Sequence, residues 1–98
     1  MLYMLISTHS PENCPMGNLE MAKKAQSAWQ NAEVVGKKLG VTTKGSWASI
    51  GPHKTFMLLD APNEFAINQM GMELGLIAWN TSDIYPVMTM EEGMARLK

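Results

Sequence analysis

A single cysteine, Cys14, occurs among the 98 residues, so no disulfide within the chain can staple the fold, and the small disulfide-rich secreted class is excluded. Charge is scarce as well: Asp, Glu, Lys and Arg make up 17% of the chain, against about 25% in ordinary globular proteins. Eight basic and nine acidic side chains leave a formal net charge of -1. The basic residues are scattered apart from Lys23-Lys24 and Lys37-Lys38 on one predicted helix, which leaves no positive stripe for nucleic acid or an anionic membrane. Long hydrophobic runs are missing too. Met1-Leu2-Tyr3-Met4-Leu5-Ile6 is apolar but too short and unflanked for a signal peptide, and a membrane-crossing helix needs about twenty such residues. A glycine-rich phosphate loop, a Ser-His-Asp arrangement, internal repeats and linkers are all absent. These absences predict one soluble, cytoplasmic domain over residues 1–98, with no nucleic-acid or membrane partner.

What the chain does have is methionine, ten residues of it, and 46% hydrophobic residues overall. With so few charges, that composition predicts that part of the surface is hidden in a homodimer or higher homo-oligomer. Leu2 to His9 reads as a strand with both alternating faces apolar, hence central in its sheet, and Ser10-Pro11 ends it. Met21, Ala25, Ala28, Ala32, Val35 and Leu39 recur at helical spacing, so a helix runs from Pro15 or Asn18 to Leu39, stopped by Gly40. Its stripe is mostly alanine, which lets it lie close to a sheet. Val41 to Ile50 and His53 to Leu59 form a hairpin around Gly51-Pro52. Asp60-Ala61-Pro62 reads as an N-cap with proline in the first turn of a helix reaching Leu74. Asp83 to Thr89 is a last strand, its Pro86 pointing to an edge position. Thr89-Met90-Glu91-Glu92 opens a short C-terminal helix to Lys98.

The order β-α-β-β-α-β plus a terminal helix is α+β and ferredoxin-like, with a four-stranded antiparallel sheet whose central pair is the first and third strands. Pairing them with His9 opposite His53 sets Ser7 against Thr55, Leu5 against Met57 and Tyr3 against Leu59 on one face. Met4, Ile6, Phe56 and Leu58 fall on the other, the aliphatic set expected beneath the helices. Two apolar sheet faces and helices on only one side predict a second copy packed sheet to sheet. This pattern resembles the dimeric α+β barrel superfamily over the whole chain. The opening Thr-His-Ser-Pro-Glu-Asn-Cys-Pro at Thr8 to Pro15, with Gly-Pro-His-Lys at Gly51 to Lys54, resembles a family of small stand-alone uncharacterised members. The resemblance implies the fold and dimer, but no one activity: the superfamily includes cofactor-independent oxygenases, haem-degrading enzymes, isomerases and sensing domains.

The derived pairing carries the candidate site. It brings both histidines to one end of the sheet, facing the dimer cleft, and lets Cys14 fold back to the same place, with Asp83 near. His9, Cys14 and His53 are then candidate ligands for a transition metal such as zinc or copper, or for a haem iron. The alternative is two histidines that hydrogen-bond the turn backbones. As general bases, His9 and His53 would be the catalytic residues of an isomerase or cofactor-independent oxygenase. Cys14 has a second reading, as a thiolate at the first helix N-terminus, and a third, as a small buried turn residue. Tyr3, Thr43, Trp47 and Tyr85 are candidate ligand-binding residues lining the open face for a flat organic molecule, with Ser49 and Trp79 beside them. Against that, the aromatics fill the dimer interface of a structural assembly module that binds nothing.

Overall fold

In the computed structural model, which describes residues 1–97, the chain begins with β1 (Leu2–Thr8) and a 3₁₀ turn at Pro11–Asn13. Then come α1 (Leu19–Leu39), β2 (Thr42–Ser49), β3 (Lys54–Asp60), α2 (Glu64–Glu73), β4 (Thr81–Val87) and α3 (Met90–Ala95). The sheet order is β2-β3-β1-β4, all antiparallel. This is the expected α+β, ferredoxin-like arrangement with a short C-terminal helix. The final residue of that expected helix, Lys98, lies outside the described residues. Among the described residues no helix is long and apolar enough to cross a membrane.

The ends of the elements follow from local chemistry. Asn18 caps α1 by accepting from the Met21 N–H at 3.2 Å, and Gly40 ends it in the left-handed region at φ 77°, where a side chain would be strained. Thr89 caps α3, accepting from the Glu92 N–H at 3.0 Å. Pro86 sits in β4, an edge strand, where its missing donor costs no ladder bond. Among the boundaries that differ from the sequence reading, two have a clear local cause. The cap of α2 is Asn63, not Asp60, and its side chain accepts from the Ala66 N–H at 2.8 Å. Asp60 instead ends β3, where its carboxylate accepts from the chain's terminal ammonium at 2.9 Å. β4 begins two residues earlier than expected because Thr81 and Ser82 pair with Thr8 and Ser7 of β1, the two serine hydroxyls lying 3.2 Å apart.

The β1–β3 register is the one derived from the sequence: Tyr3 faces Leu59, Leu5 faces Met57 and Ser7 faces Thr55. Beyond the strand ends, the His9 N–H donates to the His53 carbonyl at 3.1 Å. The face turned to the helices, however, is the opposite one. Tyr3 and Leu59 are buried with Val41, Ala61, Ala66, Ile67 and Met70 in the core under α1 and α2. Met4, Ile6, Phe56 and Leu58 occupy the uncovered face, where the sequence reading had placed the histidines. Both faces are apolar, so apolarity could not choose between them. Ser7, His9 and Thr55, on the face expected to meet a dimer cleft, instead line a cavity beneath the helices.

β2 adds a second correction. A bulge between Thr43 and Gly45 shifts the alternation, so Thr43 pairs with Leu59 on the covered face while Trp47 pairs with Phe56 on the bare one. Trp47 folds over Gly45, where a Cβ would stand 2.5 Å from the indole ring. The second half of helix α1 packs through Ala32, Val35 and Leu39 against the core that holds Tyr3 of β1 and Leu59 of β3. Its alanines Ala25, Ala28 and Ala32 border an empty space over the sheet.

Candidate functional site

Three side chains meet where β1 ends and β3 begins. His9 follows β1 directly. His53 closes the Ile50-Gly51-Pro52-His53 turn, its N–H donating to the Ile50 carbonyl at 3.2 Å. It does so at φ 58°, and among the described residues it is the one non-glycine with a positive φ. Cys14 leaves the 3₁₀ turn with its N–H bonded to the Pro11 carbonyl at 3.3 Å and is buried as a free thiol. One ring nitrogen from each histidine and the Cys14 sulfur all lie within 4.8 Å of one another.

The electrostatics of this cluster are those of a donor set without a proton partner. His9 Nε2 and His53 Nδ1 are buried and make no hydrogen bond, whereas buried polar atoms are ordinarily paired. Neither ring uses that nitrogen to bond a turn backbone. The two rings meet edge to face with centroids 5.4 Å apart. Burial, and next the neighbouring His53, lower the pKa of His9 below its ordinary value, which keeps a lone pair free at neutral pH. Imidazole nitrogens and a cysteine sulfur are borderline-to-soft donors that suit zinc or copper. Around a tetrahedral zinc such donors stand roughly 3.3–3.8 Å apart, from metal–ligand lengths of about 2.0–2.3 Å. Closing the set thus requires about 1 Å of movement, the scale of a side-chain rotation.

Other residues singled out from the sequence are distributed differently. Trp79 reaches the cluster from the loop after α2, its ring 5.8 Å from His9. Tyr3 is core, and its hydroxyl donates to Met1 Sδ at 3.4 Å. Thr43 borders a second groove, with Glu33 and Lys37, that shares Trp29, Ala32 and Met57 with the cavity beneath the helices. Trp47 and Tyr85 stand on the bare face by register, 57% and 51% exposed, although Trp47 also borders the cavity beneath the helices; the four proposed ligand-lining residues do not share one face. Asp83 pairs with Ile6 on that same bare face and does not join the histidines. Since α1 starts at Leu19 behind its Asn18 cap, Cys14 is not in a helical first turn, and the reading of it as a helix-activated thiolate has no geometry behind it. Glu12 is exposed, as a loop charge should be.

Adjoining the cluster is a cavity of about 340 Å³ between sheet and helices. Leu5, Met57 and Leu59 form its floor, Ala25, Ala28 and Ala32 of α1 its roof, and His9 closes one end. Sequence reasoning placed the cleft on the other side of the sheet and so missed Ser46 and the roof. The alanine stripe was the available signal, because small side chains facing a sheet leave room as readily as they permit close packing.

Among solved structures, the chain is similar to SCO4226 from Streptomyces coelicolor A3(2), with a TM-score of 0.62 and 15% identity. The match covers 89% of this chain and 96% of that one, and at such identity it speaks for the fold alone. No curated protein matches the sequence. The family description "Domain of unknown function (DUF3303)" matches residues 1–98. A histidine-bearing turn, a four-stranded sheet and a cysteine folded back between them are thus features of a chain that belongs to the DUF3303 family over its whole length.

Proposed function

We propose that this protein binds a transition-metal ion, zinc or copper, through His9, Cys14 and His53. The observation that carries the reading is twofold: each ring buries an unpartnered nitrogen, and one nitrogen of each ring lies within 4.8 Å of the other and of a free buried thiol. Such orphaned groups cost stability, and a metal ion satisfies both histidines at once. Three protein ligands leave a fourth position for water or a ligand. The reading predicts about one metal ion per chain in protein purified without chelator, and thiolate-to-metal absorption on loading with Co²⁺. Both signals should be lost in His9→Ala and Cys14→Ser. A wild-type protein that takes up neither Zn²⁺, Cu⁺ nor Co²⁺ stoichiometrically sinks the reading. A porphyrin band would replace it with haem ligation, and turnover of an aromatic substrate by chelated protein would replace it with the general-base role of His9 and His53.

The same protomer is proposed to dimerise through the bare sheet face, as a dimeric α+β barrel. The accessible surface is 6697 Å², whereas a compact monomer of 10.8 kDa exposes about 5,500 Å². The surplus exceeds the roughly 800 Å² per partner of a standard interface. Met4, Ile6, Phe56 and Leu58, flanked by exposed Trp47 and Tyr85, form its apolar centre.

A further inference from the structure

The cavity roofed by α1 has walls that specify an occupant. Of the side chains around it, none is Lys, Arg, Asp or Glu, so an ionised ligand buried there would have no counter-charge. Ile67 and Met70 of α2 close one side and Trp79 another. Methionine and indole together favour a flat aromatic body. At about 340 Å³ the space falls in the usual range for small-molecule sites, roughly 300–1,000 Å³.

The buried, unpaired polar atoms among the lining side chains stand at two places, with the lining hydroxyls of Ser7 and Thr55 between them in the strand register. Ser46 Oγ is buried and unpaired, as is His9 Nε2, and both residues line the cavity. Ser46 lies in register with Met57, and Met57 with Leu5. His9 is four residues further along the same strand direction, about 13 Å at 3.3 Å per residue. A ligand that reaches from Ser46 to His9 spans about that length of strand.

The geometry points to an elongated, uncharged aromatic molecule with a hydroxyl or carbonyl group at each end, one end at His9 and the other at Ser46. At the Ser46 end the ligand group either accepts from the serine hydroxyl or donates to it. At the His9 end it bonds the free imidazole nitrogen, or occupies the open position of a metal where one is bound. This inference rests on the cavity walls and Ser46, so it stands or falls apart from the metal reading.

The test uses the full chain, chelator-treated, titrated calorimetrically and by tryptophan fluorescence with 4,4′-dihydroxystilbene. Unsubstituted stilbene and the 4,4′-dicarboxylate serve as comparisons. Saturable one-to-one binding of the dihydroxy compound is expected, with the unsubstituted compound weaker and the dicarboxylate weaker still. Ser46→Ala should weaken the dihydroxy compound about fivefold, the worth of one hydrogen bond, while leaving stilbene unchanged. Ala28→Phe, which fills the cavity from its roof, should abolish binding of both. No saturable binding of the dihydroxy compound, preference for the dicarboxylate, or an unchanged affinity in Ser46→Ala would each overturn the proposal. Zinc uptake without stilbene binding would sink this inference alone; stilbene binding without zinc uptake would sink only the metal reading.

Discussion

His53 is a poor choice for folding alone. It occupies the left-handed region at φ 58°, which costs a side-chain-bearing residue roughly 1–2 kcal/mol, and it buries an unpaired nitrogen. Glycine would remove both defects at the entropic cost of a freer unfolded chain, about 0.5–1 kcal/mol. His53→Gly is therefore expected to leave the apoprotein as stable or up to ~1 kcal/mol more stable while abolishing metal uptake, read by denaturant unfolding beside metal titration. A large loss of apoprotein stability would mean that the imidazole serves the turn. His9 gives a second test. Its folded-state pKa lies below the ordinary 6.5, through burial and then His53, so between those two values the unfolded chain binds the extra proton. The stability from a neutral His9 is present in full above pH 6.5 and declines as pH falls through the folded pKa. Urea midpoints of chelated protein should drop from pH 7.5 to pH 5.5, and the drop should shrink in His9→Gln.

At the level of elements, β1, the hairpin and both long helices were legible because each carries a strong local signal: a doubly apolar run, a Gly-Pro turn, an alanine-rich stripe ending in glycine. The convergence of His9 and His53 was legible for the same reason, since one strand register fixes it. Which face the helices cover was not. That depends on how the chain leaves β1 through the Pro11–Asn13 turn and crosses to β2, and neither apolar face of the sheet contradicts either choice. The bulge at Lys44 also escaped notice, because alternation read straight through it puts Thr43 and Trp47 together. Gly36 is a tighter element-level constraint. A Cβ there would stand 2.7 Å from the Val41 carbonyl oxygen, backbone that accepts no easy shift because the Val41 N–H is bonded to the Gly36 carbonyl at 2.8 Å. Helix propensity favours alanine over glycine by about 1 kcal/mol, yet the clash should win. Gly36→Ala is expected to destabilise by about 1–3 kcal/mol, measured by chemical denaturation; a stabilised variant would show that the α1–β2 connection gives way.

As a whole, the protomer is a slab, 52 × 31 × 17 Å, with a radius of gyration of 14.4 Å against about 13 Å for a compact chain of this length. A slab with one bare apolar face fits the proposed sheet-to-sheet dimer. Phe56→Glu, at the centre of that face, should convert a dimer to a monomer in light scattering at micromolar concentration while circular dichroism stays native. A wild-type monomer at the same concentration would remove the dimer reading.

The sheet is one strand layer thick, and that has a further consequence. Leu5 and Met57 floor the cavity, while Met4, Ile6, Phe56 and Leu58 look the other way from the same two strands. A change in twist or spacing of β1 and β3 on one side is thus the same change on the other, with no second layer to absorb it. If drawing His9 and His53 together tightens that pair, occupancy and assembly become two readings of a single deformation, and reciprocity requires each to alter the other by an equal factor. The monomeric Phe56→Glu protein would then differ from the wild type in metal affinity, although residue 56 faces away from every ligand atom.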